Sequence, residues 1–310
     1  MENNNIQEQK IAVIGAGAVG ATTAYTLMVK GLVAEIILID INKDKQEGEV
    51  LDINDALSFS LVGCVKGGEY KDARDADIII LTAGVAQKPG ETRLDLVKKN
   101  KAIVSSIFKE IGTIKQTAII IVVSNPVDII THLSQELSGL PKNQVFGTGT
   151  CLDSARLRSN VAKKFKVDPA QVDGFVFAEH GNSEFVAWST VSVAGKKALD
   201  LLSKEEMDQI ENEVKNEVYE IIKRKGATYY GIAMVAADIV NTIFLDENKV
   251  LPVSSLLDNC NGVSGVCLGA PMVVGRGGII RTWPITLSEV EKNKLQKSAD
   301  TIRELSLIHI

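Results

Sequence analysis

The chain has 310 residues, of which 45% are hydrophobic and 24% are charged, and its formal net charge is −5. This composition is typical of a soluble globular protein and excludes wholesale disorder, and the length favours two domains over one. The net negative charge argues against a nucleic-acid partner, and the basic runs at residues 163–166 and 223–225 are interpreted as solvated helix faces.

Apolar runs such as residues 119–123 are too short to span a bilayer, and the polar start of the chain lacks the pattern of a secretory signal. No membrane partner is therefore expected. The four cysteines, Cys64, Cys151, Cys260 and Cys267, include no Cys-x-x-Cys pair. We expect free, buried thiols, no metal site and a cytoplasmic location.

The first half of the chain alternates predicted strands with predicted helices. The apolar run at residues 10–17 ends in glycines and predicts a strand that is buried on both faces. Further strands are predicted at residues 34–41, 76–83, 117–124 and 144–147, and helices at residues 18–30, 43–57, 92–111 and 126–137. This alternation predicts an α/β fold with a doubly wound parallel sheet.

The second half has a different order of elements, with runs of strands and runs of helices. Helices are predicted at residues 154–165, 204–224, 229–244 and 288–305, and strands at residues 172–178, 185–193, 250–256 and 266–274. This order favours a C-terminal α+β domain. We place the boundary near Thr148, which gives domains at residues 1–147 and 148–310 that pack around a shared cleft.

Residues 15–20 have the pattern Gly-x-Gly-x-x-Gly at the junction of the first strand and first helix. The pattern alone is weak, since glycines at a tight turn can be purely structural. Asp40, however, lies at the end of the next strand, twenty residues beyond Gly20. A carboxylate there accepts a hydrogen bond from a ribose 2′-hydroxyl and repels a 2′-phosphate. The context predicts a Rossmann domain that binds NAD rather than NADP.

The chain has only three histidines, so few groups can serve as a catalytic acid or base. His132 lies within a predicted helix and His309 near the C-terminus, whereas His180 follows a predicted strand and precedes a glycine. His180 is therefore the candidate proton donor and acceptor, and a hydrogen-bonded packing role is the alternative.

Two arginines lie in unusual settings. Arg93 follows a Pro-Gly pair in a polar loop after a buried strand, where a movable lid over a ligand crevice is expected. Arg156 lies three residues after Asp153 in a predicted helix, and an ordinary surface ion pair would have the same spacing. Spacing alone leaves the role of Arg156 open.

These motifs together closely resemble the L-lactate dehydrogenases, particularly those of bacteria, over essentially the whole chain. The motifs that carry the resemblance lie at residues 15–20, 82–84, 87–96, 124–128, 153–156, 179–181 and 226–231. The broader family also contains malate dehydrogenases, so the substrate requires its own argument.

The resemblance implies a role for each polar residue. His180 would protonate the ketone oxygen of pyruvate while NADH delivers hydride, and Asp153 would hold its imidazole and stabilise the charged form. Arg156 would bind the substrate carboxylate through two hydrogen bonds. Arg93 would enter with the lid and polarise the carbonyl, and Asn125 would help to place its oxygen.

The resemblance also implies cofactor contacts, among which Ile232 would pack against the nicotinamide ring. The cofactor-binding residues implied in this way are Gly15, Gly17, Val19, Gly20, Asp40, Lys45, Tyr70, Gly84, Val85, Ser106, Val123, Asn125, Thr148 and Ile232.

Gln87 and Thr228 are the expected specificity residues. In the family, the position of Gln87 faces the variable end of the substrate, and malate dehydrogenases carry arginine there. A neutral amide would leave the second carboxylate of oxaloacetate uncompensated, and Thr228 adds bulk that suits the methyl group of pyruvate. Lactate is thus favoured over malate or another 2-hydroxy acid. A non-catalytic NAD-binding relative is disfavoured, because His180, Asp153, Arg156 and Arg93 are all present.

Regulation and assembly are expectations from the family. Many bacterial relatives are activated by fructose 1,6-bisphosphate through an arginine, matched by Arg158, and a histidine, which is replaced here by Asp173. A carboxylate repels a sugar phosphate, so weak or absent activation is expected. Asn182 replaces an aspartate that is usual in the family, with no predicted consequence. A homotetramer is expected from the relatives.

Overall fold

The computed structural model describes residues 9–60, 63–85 and 93–307. The helices are α1 (Ala18–Val29), α2 (Lys43–Asp55), α3 (Arg93–Ile111), α4 (Val127–Leu137), α5 (Cys151–Phe165), α6 (Lys204–Lys225), α7 (Tyr230–Phe244) and α8 (Glu289–Leu307). The strands are β1 (Lys10–Ile14), β2 (Glu35–Ile39), β3 (Cys64–Gly67), β4 (Ile78–Leu81), β5 (Ile119–Val122), β6 (Val145–Gly147), β7 (Val172–Asp173), β8 (Val176–Phe177), β9 (Phe185–Val186), β10 (Ser192–Val193), β11 (Lys196–Lys197), β12 (Lys249–Leu256), β13 (Cys267–Gly275) and β14 (Gly278–Thr282).

The main sheet has the strand order β14-β13-β12-β6-β5-β4-β1-β2-β3. Strands β1 to β6 pair in parallel, as predicted for the first half. Strands β12 to β14 pair antiparallel and extend the same sheet, because β12 joins β6 through the pair Ser254 and Gly147. The second half therefore contributes antiparallel strands, as the α+β prediction requires, but it does not keep them in a separate sheet.

The parallel strands are apolar throughout because both faces of the sheet are covered. In β4, Ile78 and Ile80 point into a core shared with α1 and α7, while Ile79 and Leu81 point into a core shared with α3 and α4. Alternate residues of a strand point to opposite faces, so four consecutive apolar residues are needed to fill both cores. Helix α7 of the second half thus completes the core over the first-half sheet.

Three strands were not predicted: β11, and also β3 and β14, which are the outermost strands of the main sheet. Edge strands are partly exposed and so lack a strong apolar pattern, and in β3 only Val65 is buried. Cys64 is exposed on this edge strand, whereas the other three cysteines are buried and all four are free. The expectation of buried thiols was therefore wrong for Cys64.

The remaining second-half strands form a three-stranded sheet (β11-β10-β7) and a pair (β8-β9), next to a third core formed with α5 and α6. The predicted strand at residues 172–178 is broken at Gly174, and the one at residues 185–193 is interrupted by a 3₁₀ turn at Trp188–Thr190. No helix within residues 9–60, 63–85 and 93–307 has the length and hydropathy needed to cross a membrane.

The sheet order changes direction between β4 and β1, with β5 and β6 on one side and β2 and β3 on the other. In doubly wound sheets the ligand crevice lies outside the carboxyl ends of the strands at this point. The glycine-rich turn follows β1 at the same place, and α5 begins four residues after β6. The fold therefore brings the glycine loop and the polar face of α5 to the same end of the sheet.

Candidate active site

The glycine-rich turn between β1 and α1 is packed so tightly that two of its glycines are required. Gly15 has φ +108°, and a Cβ at Gly20 would lie 1.7 Å from the Gly15 carbonyl oxygen. A Cβ at Gly17, by contrast, would have no described atom within 4 Å. The turn therefore leaves open space in front of the backbone at Gly17, where a pyrophosphate is expected to approach.

The N-terminus of α1 starts at this turn, and its cap residue Gly17 provides no side-chain hydrogen bond. The first backbone N–H groups of a helix form an anion site in this situation. Asp40 lies at the end of β2, where its carboxylate accepts hydrogen bonds from the Ala16 N–H at 2.6 Å and the Asn42 N–H at 2.8 Å. Each carboxylate oxygen has a second lone pair for a ribose hydroxyl, so these residues fit a dinucleotide.

A cavity of about 150 Å³ lies beside this turn. Five of the predicted cofactor residues and four of the predicted catalytic or substrate residues line it, with Asn125 belonging to both groups. The lining residues are Val19, Val123, Asn125, Thr148, Gly149, Leu152, Arg156, His180, Val218, Thr228 and Ile232. Gly149, Leu152 and Val218 were not predicted.

Other predicted cofactor residues lie away from this cavity. Gly84 and Val85 follow β4, and the buried Asn100 side chain accepts from the Val85 N–H at 2.9 Å and donates to the Asn125 carbonyl at 2.6 Å. Asn100 thus joins the ends of β4 and β5, a role that sequence analysis missed. Lys45 is exposed on α2, Tyr70 is half-buried after β3, and Ser106 is exposed on α3.

His180 and Asp153 form a short hydrogen bond, with 2.6 Å between His180 Nδ1 and Asp153 Oδ2. Asp153 is buried, and the His180 side chain is 28% exposed toward the cavity. The bond occupies Nδ1, which leaves Nε2 for proton exchange. His180 lies after β8, and its backbone N–H donates to the buried Asp128 carboxylate at 3.0 Å.

The Asp153 carboxylate raises the pKa of His180 from 6.5 to about 9, against the opposing effect of burial, and Glu184 and Asp128 contribute in the same direction. Burial acts to raise the pKa of Asp153, but the His180 charge and hydrogen bond, together with Arg156, outweigh it and lower that pKa. The pair is therefore held as imidazolium and carboxylate at neutral pH, with a proton available at the cavity.

Arg156 lies on the same face of α5 as Asp153, and its Nη1 donates to Asp153 Oδ1 at 3.1 Å. Asp153 and Arg156 therefore form the ion pair that their spacing allows. It is not a surface ion pair, because the Arg156 side chain is only 8% exposed. Arg156 also faces the cavity. A buried guanidinium beside a proton donor can bind a carboxylate with two hydrogen bonds, and that role of Arg156 stays a prediction.

Glu184 is a buried carboxyl group that sequence analysis missed. Its Oε2 lies 3.9 Å from His180 Nδ1. Burial, and then the Asp153 charge, raise the pKa of Glu184 to about 8. Asp153, His180 and Glu184 place potential metal ligands within 4.8 Å of one another, and a hydrogen bond joins the first two of them. No local pattern marks Glu184, since its burial depends on the packing of the whole loop.

The predicted lid cannot be placed in this site. Gln87 lies outside the described residues, as does His309, and Arg93 is described only as the first residue of α3. His132, the remaining histidine, is half-buried on α4 with Nδ1 3.8 Å from the Cys267 sulfur. It does not line the cavity.

Comparison with known proteins agrees with this geometry. Residues 9–147 match the family described as lactate/malate dehydrogenase, NAD binding domain, and residues 150–306 match the lactate/malate dehydrogenase, alpha/beta C-terminal domain. The chain belongs to the lactate/malate dehydrogenase family. The predicted resemblance, the α/β fold class and the NAD cofactor are thereby confirmed.

Similar proteins of known name cover nearly the whole chain. L-lactate dehydrogenase from Clostridium botulinum (strain Loch Maree / Type A3) is 44% identical over 95% of each chain, and that from Acetivibrio thermocellus is 44% identical over 98% of each. The crystal structure of minor L-lactate dehydrogenase from Enterococcus mundtii in the ligands-bound form has a TM-score of 0.94 and 39% identity, covering 98% of this chain and 99% of that chain. These matches confirm the prediction of an NAD-dependent L-lactate dehydrogenase.

Proposed function

We propose that this chain catalyses the reversible reduction of pyruvate to L-lactate at the cavity beside the glycine-rich turn. One observation carries the proposal. His180, held by the buried Asp153, and the buried Arg156 open onto the same cavity as Val19 and Ile232, which are expected to contact the cofactor. A proton donor, a carboxylate-binding cation and a dinucleotide site within one small cavity are the parts that 2-keto acid reduction requires.

In the proposed mechanism, Arg156 binds the pyruvate carboxylate and the imidazolium of His180 points Nε2 at the ketone oxygen. Bound NADH supplies the hydride that reduces the carbonyl carbon. His180 transfers its proton to the oxygen as negative charge develops there, which yields lactate and neutral His180. Asp153 keeps the imidazole in one orientation throughout and stabilises its charged form. Solvent returns a proton to His180, and lactate oxidation uses the same steps in reverse.

Substrate choice follows from charge balance. Among the lining residues that the structure describes, the cationic groups are Arg156 and protonated His180. Pyruvate has one carboxylate, which Arg156 compensates. We propose that Gln87 and Thr228 face the methyl group, and that Arg93 polarises the carbonyl. A second carboxylate would be desolvated without a cation, which strongly disfavours oxaloacetate.

The test is NADH oxidation followed with pyruvate and with oxaloacetate. We expect kcat/KM to be larger for pyruvate by about 10²-fold or more. Preference for oxaloacetate would assign the chain to the malate branch of the family, and NADH binding without turnover of either acid would indicate a non-catalytic relative. The matched variant Arg156→Lys keeps the charge but loses the two-pronged hydrogen bond, so its KM for pyruvate should rise.

We also propose that the domain boundary lies near Thr148 and that the protein is located in the cytoplasm. For its assembly we propose a homotetramer. Exposed apolar side chains on the first-half helices and on α7 support assembly. They include Tyr25, Val29, Leu51 and Met234, with Phe59 in the 3₁₀ turn after α2. Large exposed apolar side chains grouped in a patch usually mark an interface, and we propose that these residues form one. Light scattering coupled to gel filtration should give the mass of a tetramer, and the mass of a monomer would contradict the proposal.

The effector proposal concerns Arg158 and Asp173. Arg158 is half-buried on α5, and Asp173 is exposed on β7. We propose that the Asp173 carboxylate weakens binding of fructose 1,6-bisphosphate, so that millimolar effector hardly changes the half-saturating pyruvate concentration. Activation should appear in Asp173→His. Strong activation of the unmodified protein would contradict this.

A further inference from the structure

Arg156 has a second carboxylate neighbour, Glu217 of α6. Arg156 Nε lies 3.7 Å from Glu217 Oε1, while Nη1 lies 3.1 Å from Asp153 Oδ1. Glu217 differs from Asp153 in its surroundings, because its side chain is 43% exposed whereas that of Asp153 is buried. The next residue of the helix, Val218, lines the cavity. This segment of α6 therefore forms part of the cavity wall and places a carboxylate beside the substrate-binding cation.

A guanidinium can bind a carboxylate with two hydrogen bonds along either of two edges, one formed by Nη1 and Nη2 and the other by Nε and Nη2. Nη1 donates to Asp153, and Nε, which belongs to the second edge, faces Glu217. A keto acid that binds Arg156 along the second edge therefore meets Glu217.

The two carboxylates are not equally easy to move. Asp153 is fixed by its hydrogen bonds to both His180 and Arg156. Glu217 lies 3.7 Å from Nε, beyond hydrogen-bond distance, and it reaches solvent. A half-exposed glutamate on a helix surface can rotate into water at little cost, because exposed ion pairs contribute little. Glu217 is the carboxylate that an incoming substrate can displace.

We infer that Glu217 is a displaceable carboxylate that forms an ion pair with the Arg156 guanidinium in the substrate-free site. It would compete with the keto acid for that guanidinium. The inference rests on the proposed role of Arg156 in binding the substrate carboxylate. Glu217 is a positioning residue, since it would act through Arg156 and leave the proton transfer at His180 unchanged. Its presence raises the pyruvate concentration needed for half-saturation without changing the rate of the bound complex.

The experiment compares Glu217→Gln with Glu220→Gln, a matched loss of charge on the same helix. Glu220 pairs with Arg224 at 3.1 Å and does not contact Arg156. Glu217→Gln should lower the KM for pyruvate about two- to five-fold, the effect of removing a half-exposed charge pair, with kcat and NADH affinity unchanged. The dissociation constant of oxamate, which has the same carboxylate beside a carbonyl, should fall by the same factor. Glu220→Gln should leave both quantities unchanged.

A KM that is unchanged or raised in Glu217→Gln, with Glu220→Gln like the unmodified protein, would overturn the inference. Glu217→Ala provides a second test, because it removes the carboxylate without leaving an amide near Nε, and the same fall in KM is expected. Arg156→Lys separates this failure from failure of the proposed function. If Arg156→Lys leaves the KM for pyruvate unchanged, the role of Arg156 itself is wrong. If it raises KM while the Glu217 variants have no effect, only the competition by Glu217 is wrong.

Discussion

The glycine-rich turn and the cluster around His180 lie close together, but different forces determine them. The turn is defined by backbone sterics, since a Cβ at Gly20 would lie 1.7 Å from a carbonyl oxygen. The cluster is defined by charge, with His180 and Arg156 lining the cavity and the carboxyl groups of Asp153 and Glu184 beside His180. Backbone N–H groups and one carboxylate, Asp40, serve the first region, and a cluster of ionisable groups serves the second.

This difference predicts that the two regions respond to different perturbations. Added side-chain volume should damage the turn, whereas isosteric removal of charge within the cluster should leave it intact. The charge cluster should behave in the opposite way, because each ionisable group shifts the pKa of its neighbours in a poorly solvated environment. Cofactor binding and proton transfer can therefore be separated by mutation.

The variant His180→Asn is expected to separate proton transfer from cofactor binding most strongly. Loss of the proton donor should lower kcat by about 10²–10⁴-fold, while NADH affinity changes little because the dinucleotide contacts are mainly in the first half. Fluorescence titration of NADH alongside steady-state kinetics measures both. Loss of NADH binding in a folded variant would show that the two regions are not independent.

A smaller effect than that of His180→Asn is expected in the turn. Here Gly20→Ala should destabilise the protein, and Gly17→Ala should not. The added methyl group at Gly20 overlaps the Gly15 carbonyl, and forced overpacking should lower the free energy of unfolding by about 1–3 kcal/mol. At Gly17 the methyl group meets no described atom, so thermal stability of the cofactor-free protein should not change. Equal losses of Tm in the two variants would contradict a steric role specific to Gly20.

A further effect concerns the pH dependence of stability at Glu184. Its pKa is raised from 4.5 to about 8, so between these pH values the folded protein retains a proton that the unfolded chain releases. The free energy of unfolding therefore falls as the pH rises from about 4.5 to about 8. Glu184→Gln mimics the protonated group. The variant should match the unmodified protein in Tm at about pH 5 and exceed it above about pH 8. The exposed control Glu213→Gln should show no such crossover, and a parallel pH dependence for both variants would refute the assignment.

The two regions also differed in how far they could be predicted. The turn and Asp40 are local in sequence and follow a fixed strand–turn–helix geometry, so the pattern indicated the dinucleotide site directly. The scarcity of histidines already made His180 the candidate proton donor, and the resemblance to a known family supplied the expected roles of Asp153 and Arg156. Their motifs alone left a surface ion pair as an alternative for Arg156.

Other features could not be predicted because they depend on tertiary packing. Glu184 is marked only by its burial beside His180. Glu217 and Val218 lie in a charged amphipathic helix whose pattern indicates a solvated face, and only the packing of α6 against α5 brings Glu217 to Arg156 and Val218 to the cavity. The edge strands β3 and β14 escaped prediction because a half-exposed strand carries little apolar signal.

The central claim is that Asp153 keeps His180 protonated as the acid in pyruvate reduction. The most direct measurement is the pH profile of kcat/KM for pyruvate in the unmodified protein and in Asp153→Asn. Because the pKa of His180 is raised to about 9, kcat/KM should be level below that pH and fall above it, while lactate oxidation should increase over the same range. Asp153→Asn should move the midpoint down by about 1–3 pH units. If the pH profile of kcat/KM has the same midpoint in Asp153→Asn as in the unmodified protein, the claim is contradicted.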